Sequence, residues 1–211
     1  MQRLNSRPRI IYTTIGAFIA WFGVIGQLYL ILLNRVHPVA NTLLQFFSYF
    51  TILTNIIVAF TFSMLVLKSQ SSLKSFLSKP ATLTATGVYV FVVGLIYNFV
   101  LRQLWAPHGL QRMVDELLHL VVPILYIVYW FLFVPKKELQ WKDAVVWLVY
   151  PAVYLILVLS HGYFTGFYPY PFINVIQLGY QQVLFNSAMV MVLFIFLSLL
   201  FIAIGRFSRK E

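Results

Sequence analysis

Charge is what this chain has least of. Only 9% of its 211 residues are charged and 61% are hydrophobic, whereas a soluble domain carries roughly 25% charged residues. So few charges cannot keep a protein surface hydrated, and lipid is the expected solvent. Cysteine is absent, which excludes a disulfide framework, thiolate metal sites and a cysteine nucleophile. No buried lysine is available for a retinal-type Schiff base. His119 is the one histidine well inside an apolar run. His37, His108 and His161 fall in or beside connections, which argues against haem held by paired helical histidines. There is no nucleophile elbow, strong internal repeat, linker or soluble domain.

What fills the chain instead is long apolar stretches. A membrane span needs about 20 mostly apolar residues, because the hydrocarbon layer is ~30 Å thick and a helix rises ~1.5 Å per residue. Six stretches qualify, at approximately 10–33, 41–67, 81–101, 113–134, 142–160 and 177–204. They are long and continuous, unlike the short alternating strands of a membrane barrel. The first follows Arg3, Arg7 and Arg9, but it exceeds the ~7–15 residues of a signal-peptide core and reads as a span. The expected fold is therefore all-α, one domain over 1–211, an integral membrane bundle of six transmembrane helices.

The net charge of +10 sits in the connections. Arg3, Arg7 and Arg9, then Lys68, Lys74 and Lys79, then Lys136, Lys137 and Lys142, and finally Arg206, Arg209 and Lys210 fall on one side. Only Arg35, Arg102 and Arg112 fall on the other. The positive-inside rule makes the richer side cytoplasmic. Both termini are thus expected in the cytoplasm, in a cell (inner) membrane. With no soluble basic domain behind it, the charge reads as topology, and nucleic acid is not an expected partner. Asn41 is a candidate cap for the second helix. Ser69, Gln70, Ser71 and Ser72 mark a flexible inner loop. The aromatic segment 161–171 reads as an interfacial belt or as a lid.

Polar groups inside a bilayer are costly and tend to face the bundle interior, so they mark candidate sites. Most lie toward the outer ends of the spans, which implies a cavity on that side. Ser48, Thr51 and Asn55 are spaced to share one helical face. Tyr97, Asn98 and Arg102 end the third span, Arg112, Asp115, Glu116 and His119 begin the fourth, and Gln27 closes the first. Asp115 and Glu116 lie one turn before His119. Pro123, four residues after it, has no N–H for the His119 carbonyl and is expected to kink the helix.

These residues admit several chemistries. A hydroxyl becomes a nucleophile when a neighbouring base takes its proton. Thr51 and His119 lie at comparable depth, with Asp115 or Glu116 to orient the imidazole. Asn55, Asn98 or Arg102 would steady a developing oxyanion. Asp115, Glu116 and His119 could instead relay protons in a small-molecule or proton-coupled transporter. The same groups could also be packing glue in a non-catalytic lipid-binding protein. A metal hydrolase would need about three ligands, which these residues crowd into one helical turn. No cofactor is expected.

Four stretches carry a resemblance: 46–55 (FFSYFTILTN), 97–102 (YNFVLR), 116–123 (ELLHLVVP) and 168–172 (YPYPF). Together they resemble a bacterial family of six-span membrane proteins, the "Pr-six-Pr" group, over nearly the whole chain. The layout is more distantly similar to the androgen-induced transmembrane hydrolases of animals, which cleave fatty acid esters of hydroxy fatty acids with a threonine nucleophile and a histidine. That resemblance implies Thr51, or its neighbour Thr54, as nucleophile and His119, shortly before Pro123, as its base. It also implies membrane lipids as surroundings and a lipid-like ester as substrate.

Overall fold

The computed structural model describes residues 7–68 and 70–207; Arg3, Ser69, Arg209 and Lys210 lie outside the described residues. Among the described residues every regular element is helical. They run α1 (Arg7–Leu33), α2 (Val39–Phe47), α3 (Phe50–Val66), α4 (Ser72–Leu77), α5 (Pro80–Ile96), α6 (Gly109–Glu116), α7 (Val122–Phe133), α8 (Asp143–Trp147), α9 (Val149–Thr165) and α10 (Val175–Phe207). A π-helical turn, Tyr97–Leu101, extends α5, and a second, Leu117–Val121, joins α6 to α7.

Among the described residues five continuous helices are long and apolar enough to cross a membrane: Arg7–Leu33, Pro80–Leu101, Gly109–Phe133, Asp143–Thr165 and Val175–Phe207. Their surfaces agree with that reading. On α1, Ile11, Ile15, Phe18, Phe22, Ile25 and Tyr29 are all exposed. They recur at alternating steps of four and three, one continuous apolar stripe turned away from the protein. Gly16, Ala20 and Gly23 line the opposite, buried face. A Cβ on Gly16 would come 2.7 Å from the Phe62 ring, so glycine is what lets α1 lie against α3.

The large aromatic side chains of the interior have their polar tips bonded, as a medium without water favours. Trp130, Tyr126 and Tyr129 are fully buried. Trp130 Nε1 donates to Thr84 Oγ1 at 2.9 Å, the Tyr126 hydroxyl donates to the Leu83 carbonyl at 3.1 Å, and Tyr129 Oη accepts from Arg9 Nη2 at 2.7 Å.

The second expected span departs from expectation. It is two helices, α2 and α3, bent by 75° at Ser48–Tyr49. Tyr49 is extended (ψ 123°) and restarts the helix. Ser48, Thr51 and Asn55 therefore do not share a face: Ser48 ends α2, while Thr51 and Asn55 stand one turn apart on α3. Asn41 is not a cap either, since α2 begins at Val39 after Pro38. In the serine-rich stretch Ser71 Oγ caps α4 by accepting from the Lys74 N–H at 3.2 Å, and Ser72 begins that helix.

The other ends shift modestly. The fourth span starts at Gly109, and the fifth runs on to Thr165. It stops there because Gly166 takes the left-handed conformation (φ 72°) that favours glycine. The sixth starts at Val175 and breaks at Gly179 (φ 72°, ψ 160°). At Pro123 the expected kink takes the form of the π turn Leu117–Val121, through which the helix continues.

Candidate active site

The break at Ser48–Tyr49 makes Thr51 the second residue of α3. The first backbone bond of the new helix is Leu53 N–H to the Tyr49 carbonyl at 3.1 Å, so the Thr51 N–H has no partner within the helix. It donates instead to Tyr170 Oη at 3.2 Å, and Thr51 Oγ1 lies 3.3 Å from the same phenol oxygen. Tyr170 arrives on the 166–174 connection. Its ring is held edge-on by Tyr49 at 5.7 Å and stacked on Phe172 at 5.3 Å. Burial pushes its hydroxyl up to about 12, so at working pH it is a neutral O–H.

The two π turns build the other half. Single π turns inside α-helices are frequent at functional sites, and here they bring the Tyr97 and His119 rings face to face, 3.8 Å apart and within 16° of parallel. His119 Nδ1 lies 2.9 Å from the Asp115 carbonyl oxygen and 3.3 Å from Asp115 Oδ1. Both are acceptors, so the neutral ring carries its proton on Nδ1, leaving the lone pair on Nε2. Among the described residues Nε2 has no hydrogen-bond partner. The second carboxylate oxygen of Asp115 accepts from the Tyr97 hydroxyl.

Thr51, Tyr170, Tyr97, Asp115 and His119 all line one cavity of about 350 Å³. Leu104, Trp105 and Pro169–Pro171 also line it, which puts it at the end of the bundle that carries the 102–108 and 166–174 connections. Thr51 and His119 face this shared space without a direct hydrogen bond to each other. Thr54 does not reach it: this residue is fully buried, with its hydroxyl 3.1 Å from that of Tyr150.

Other expected roles are redistributed. Glu116 does not orient the imidazole; it forms a two-pronged ion pair with Arg102 at 2.6 and 2.7 Å, beside the Tyr97 ring. Asn55, Asn98 and Arg102 do not line the cavity, and the side-chain amides of the two asparagines are engaged elsewhere. Asn55 Nδ2 donates to the Thr51 carbonyl at 2.8 Å and the Leu118 carbonyl at 3.2 Å. Asn98 Nδ2 donates to the Gly94 carbonyl at 2.8 Å and the His119 carbonyl at 3.2 Å. These amides brace the backbones that carry Thr51 and His119. Among the described residues no three His, Asp or Glu side chains converge as a metal site would need.

Among the described residues one hydroxyl–imidazole pair is directly bonded, Ser48 Oγ and His161 Nδ1 at 3.3 Å. Ser48 gives its proton to the Leu44 carbonyl at 2.7 Å, and neither residue lines the cavity. The pair reads as a brace at the helix break.

Tyr97 and Tyr170 are the site residues that the sequence reading passed over. Tyr97 stood beside Asn98 among the polar groups of its span. Tyr170 lay in a segment read as belt or lid, and nothing local ties it to Thr51, 119 positions away. In comparisons with protein-family models, curated proteins and solved structures, nothing matches this chain.

Proposed function

We propose that this protein is an intramembrane lipid-ester hydrolase with Thr51 as nucleophile and His119 as base. One observation carries the reading. A threonine hydroxyl, a neutral phenol and an imidazole whose Nδ1 is held by Asp115 open into a single cavity between apolar helices. This meets the need of an acyl-transfer site for nucleophile, base, orienter and donor in one space.

In this reading the Thr51 oxygen attacks the ester carbonyl carbon. The Thr51 proton passes through a cavity water to His119 Nε2, and Asp115 stabilises the imidazolium. Tyr170 turns its O–H from Thr51 to the developing oxyanion. The imidazolium then protonates the departing alcohol, leaving an acyl-threonine. Water attacks that ester, His119 takes its proton, and the acid leaves as Thr51 recovers its hydroxyl. Atoms balance as ester plus water giving acid plus alcohol.

In this reading the bent pair is one span, which makes six, and the basic clusters support a topology with both termini on the cytoplasmic side of a bacterial inner membrane. The cavity then faces the outer leaflet, from which an amphiphilic fatty acyl ester enters. The resemblance of stretches 46–55, 97–102, 116–123 and 168–172 to six-span bacterial proteins, and the more distant one to threonine/histidine lipid hydrolases, would imply the same reading.

The test is labelling of the purified protein by a fluorophosphonate. Wild type is expected to react, and Thr51→Ala and His119→Ala to lose the label. A wild type that stays unlabelled, or a Thr51→Ala variant that labels equally, overturns the proposal.

A further inference from the structure

A second cleft adjoins the cavity, and its walls differ in kind. Its volume is about 70 Å³, and it lies between α5, α9 and α10, among Val93, Ile96, Leu155, Val190, Met191 and Phe194. It offers almost nothing polar. The Ser187 hydroxyl in its wall is spent on the Val183 carbonyl at 2.7 Å, and the Tyr154 hydroxyl on the Ser48 carbonyl at 2.9 Å. A ligand with donors or acceptors of its own would leave them unmatched there.

The two spaces share a wall. Thr51, Tyr97, Leu101 and Tyr170 line both the polar cavity and the apolar cleft. The hydroxyl proposed to attack thus stands at the boundary between a wide space with polar groups and a narrow one without them. Along α10 the cleft extends from Ser187 to Phe194, about 10 Å of helix at ~1.5 Å per residue.

We infer that this cleft holds the ester-proximal part of the ligand's acyl chain, an unbranched hydrocarbon entering past Thr51 while the polar group stays on the His119 side. The inference rests on the hydrolase reading for the position of the ester and on the cleft alone for the chain. A narrow cleft with no unmatched donor suits a linear chain and excludes ring systems and polar head groups. An ester so seated has its carbonyl at the junction, beside Thr51 and Tyr170.

The experiment is photocrosslinking of the full chain in nanodiscs with a diazirine analogue of palmitic acid, mapped by peptide mass spectrometry. Adducts are expected on Val93, Ile96, Val190 and Met191. They should fall several-fold in Val93→Phe and in Ser187→Leu, two independent ways of filling the cleft. Both variants should keep a cooperative thermal unfolding transition in detergent, showing that the fold is intact. Adducts confined to lipid-facing residues such as Phe18 and Phe22, or unchanged in either folded variant, overturn the inference. Cleft adducts in a wild type that no fluorophosphonate labels would support the cleft and sink the hydrolase.

Discussion

Asn98 Nδ2 donates to the backbone carbonyl of His119 across 3.2 Å, and that is the carbonyl to which Pro123 has no N–H to give. The close approach is allowed by Gly94, where a Cβ would lie 3.3 Å from the same oxygen. A proline on one span is thus answered by an amide on another. The freed carbonyl follows from Pro123 in the sequence; its partner, Asn98, follows only from the packing of the two helices.

The first prediction follows from that pairing. Asn98→Leu should destabilise the protein by about 1–3 kcal/mol, the typical loss when a buried acceptor is left unmatched. Pro123→Ala restores a backbone donor, so Asn98→Leu should cost less in that background. Thermal unfolding in detergent across the double-mutant cycle reads the coupling; strict additivity would show that Asn98 does not serve this carbonyl.

The second concerns the orienter. Replacing the aspartate of a Ser-His-Asp triad by asparagine lowers kcat by ~10⁴, through the wrong tautomer. Here the nearer acceptor of His119 Nδ1 is the Asp115 main-chain carbonyl, which a side-chain change leaves in place. Asp115→Asn should therefore lower ester turnover by roughly 10-fold rather than 10⁴-fold. Glu116→Gln should leave turnover close to wild type, because Glu116 faces Arg102. A reversal of that order, measured as kcat on a chromogenic acyl ester, would overturn the assignment of Asp115.

The third separates the hydroxyls. Thr54→Val and Ser48→Ala should keep fluorophosphonate labelling, since neither hydroxyl reaches the cavity. Should Thr54→Val lose the label while Thr51→Ala keeps it, the nucleophile would be the wrong threonine.

The fourth is a pH dependence. A free tyrosine ionises near pH ~10, whereas Tyr170 is pushed up to about 12 by burial. The raised value favours the neutral form in the fold, so the O–H persists through pH 10 and is lost only as the pH passes about 12. The tyrosinate difference spectrum of wild type minus Tyr170→Phe should be empty at pH 10 and grow above it. A residue-170 signal at pH 10 would contradict a closed, buried phenol, and Tyr170 could not then serve as a donor across that range.

Much of the fold was legible because it rests on local averages. Mean apolarity marks a span wherever it packs, and the five long helices lie where the sequence placed them, with ends shifted by a few residues. The break at Ser48–Tyr49 was not legible. Residues 46–50 (FFSYF) contain neither proline nor glycine, and the bend is held by contacts from elsewhere, such as the Tyr154 hydroxyl on the Ser48 carbonyl.

Composition and the thickness of a bilayer are enough to make lipid the expected solvent, helices the expected regular structure, and one end of the spans the place where the scarce polar groups gather. Which of those polar groups meet follows from packing. It put Thr51 at the head of a new helix, brought Tyr170 to it from 119 residues away, turned Glu116 to Arg102, and kept Asn55 and Asn98 for backbone carbonyls. Helical periodicity says which side chains share a face of one helix. Which faces touch depends on tilt, bends and small-residue contacts between helices, and these are settled by packing the whole chain.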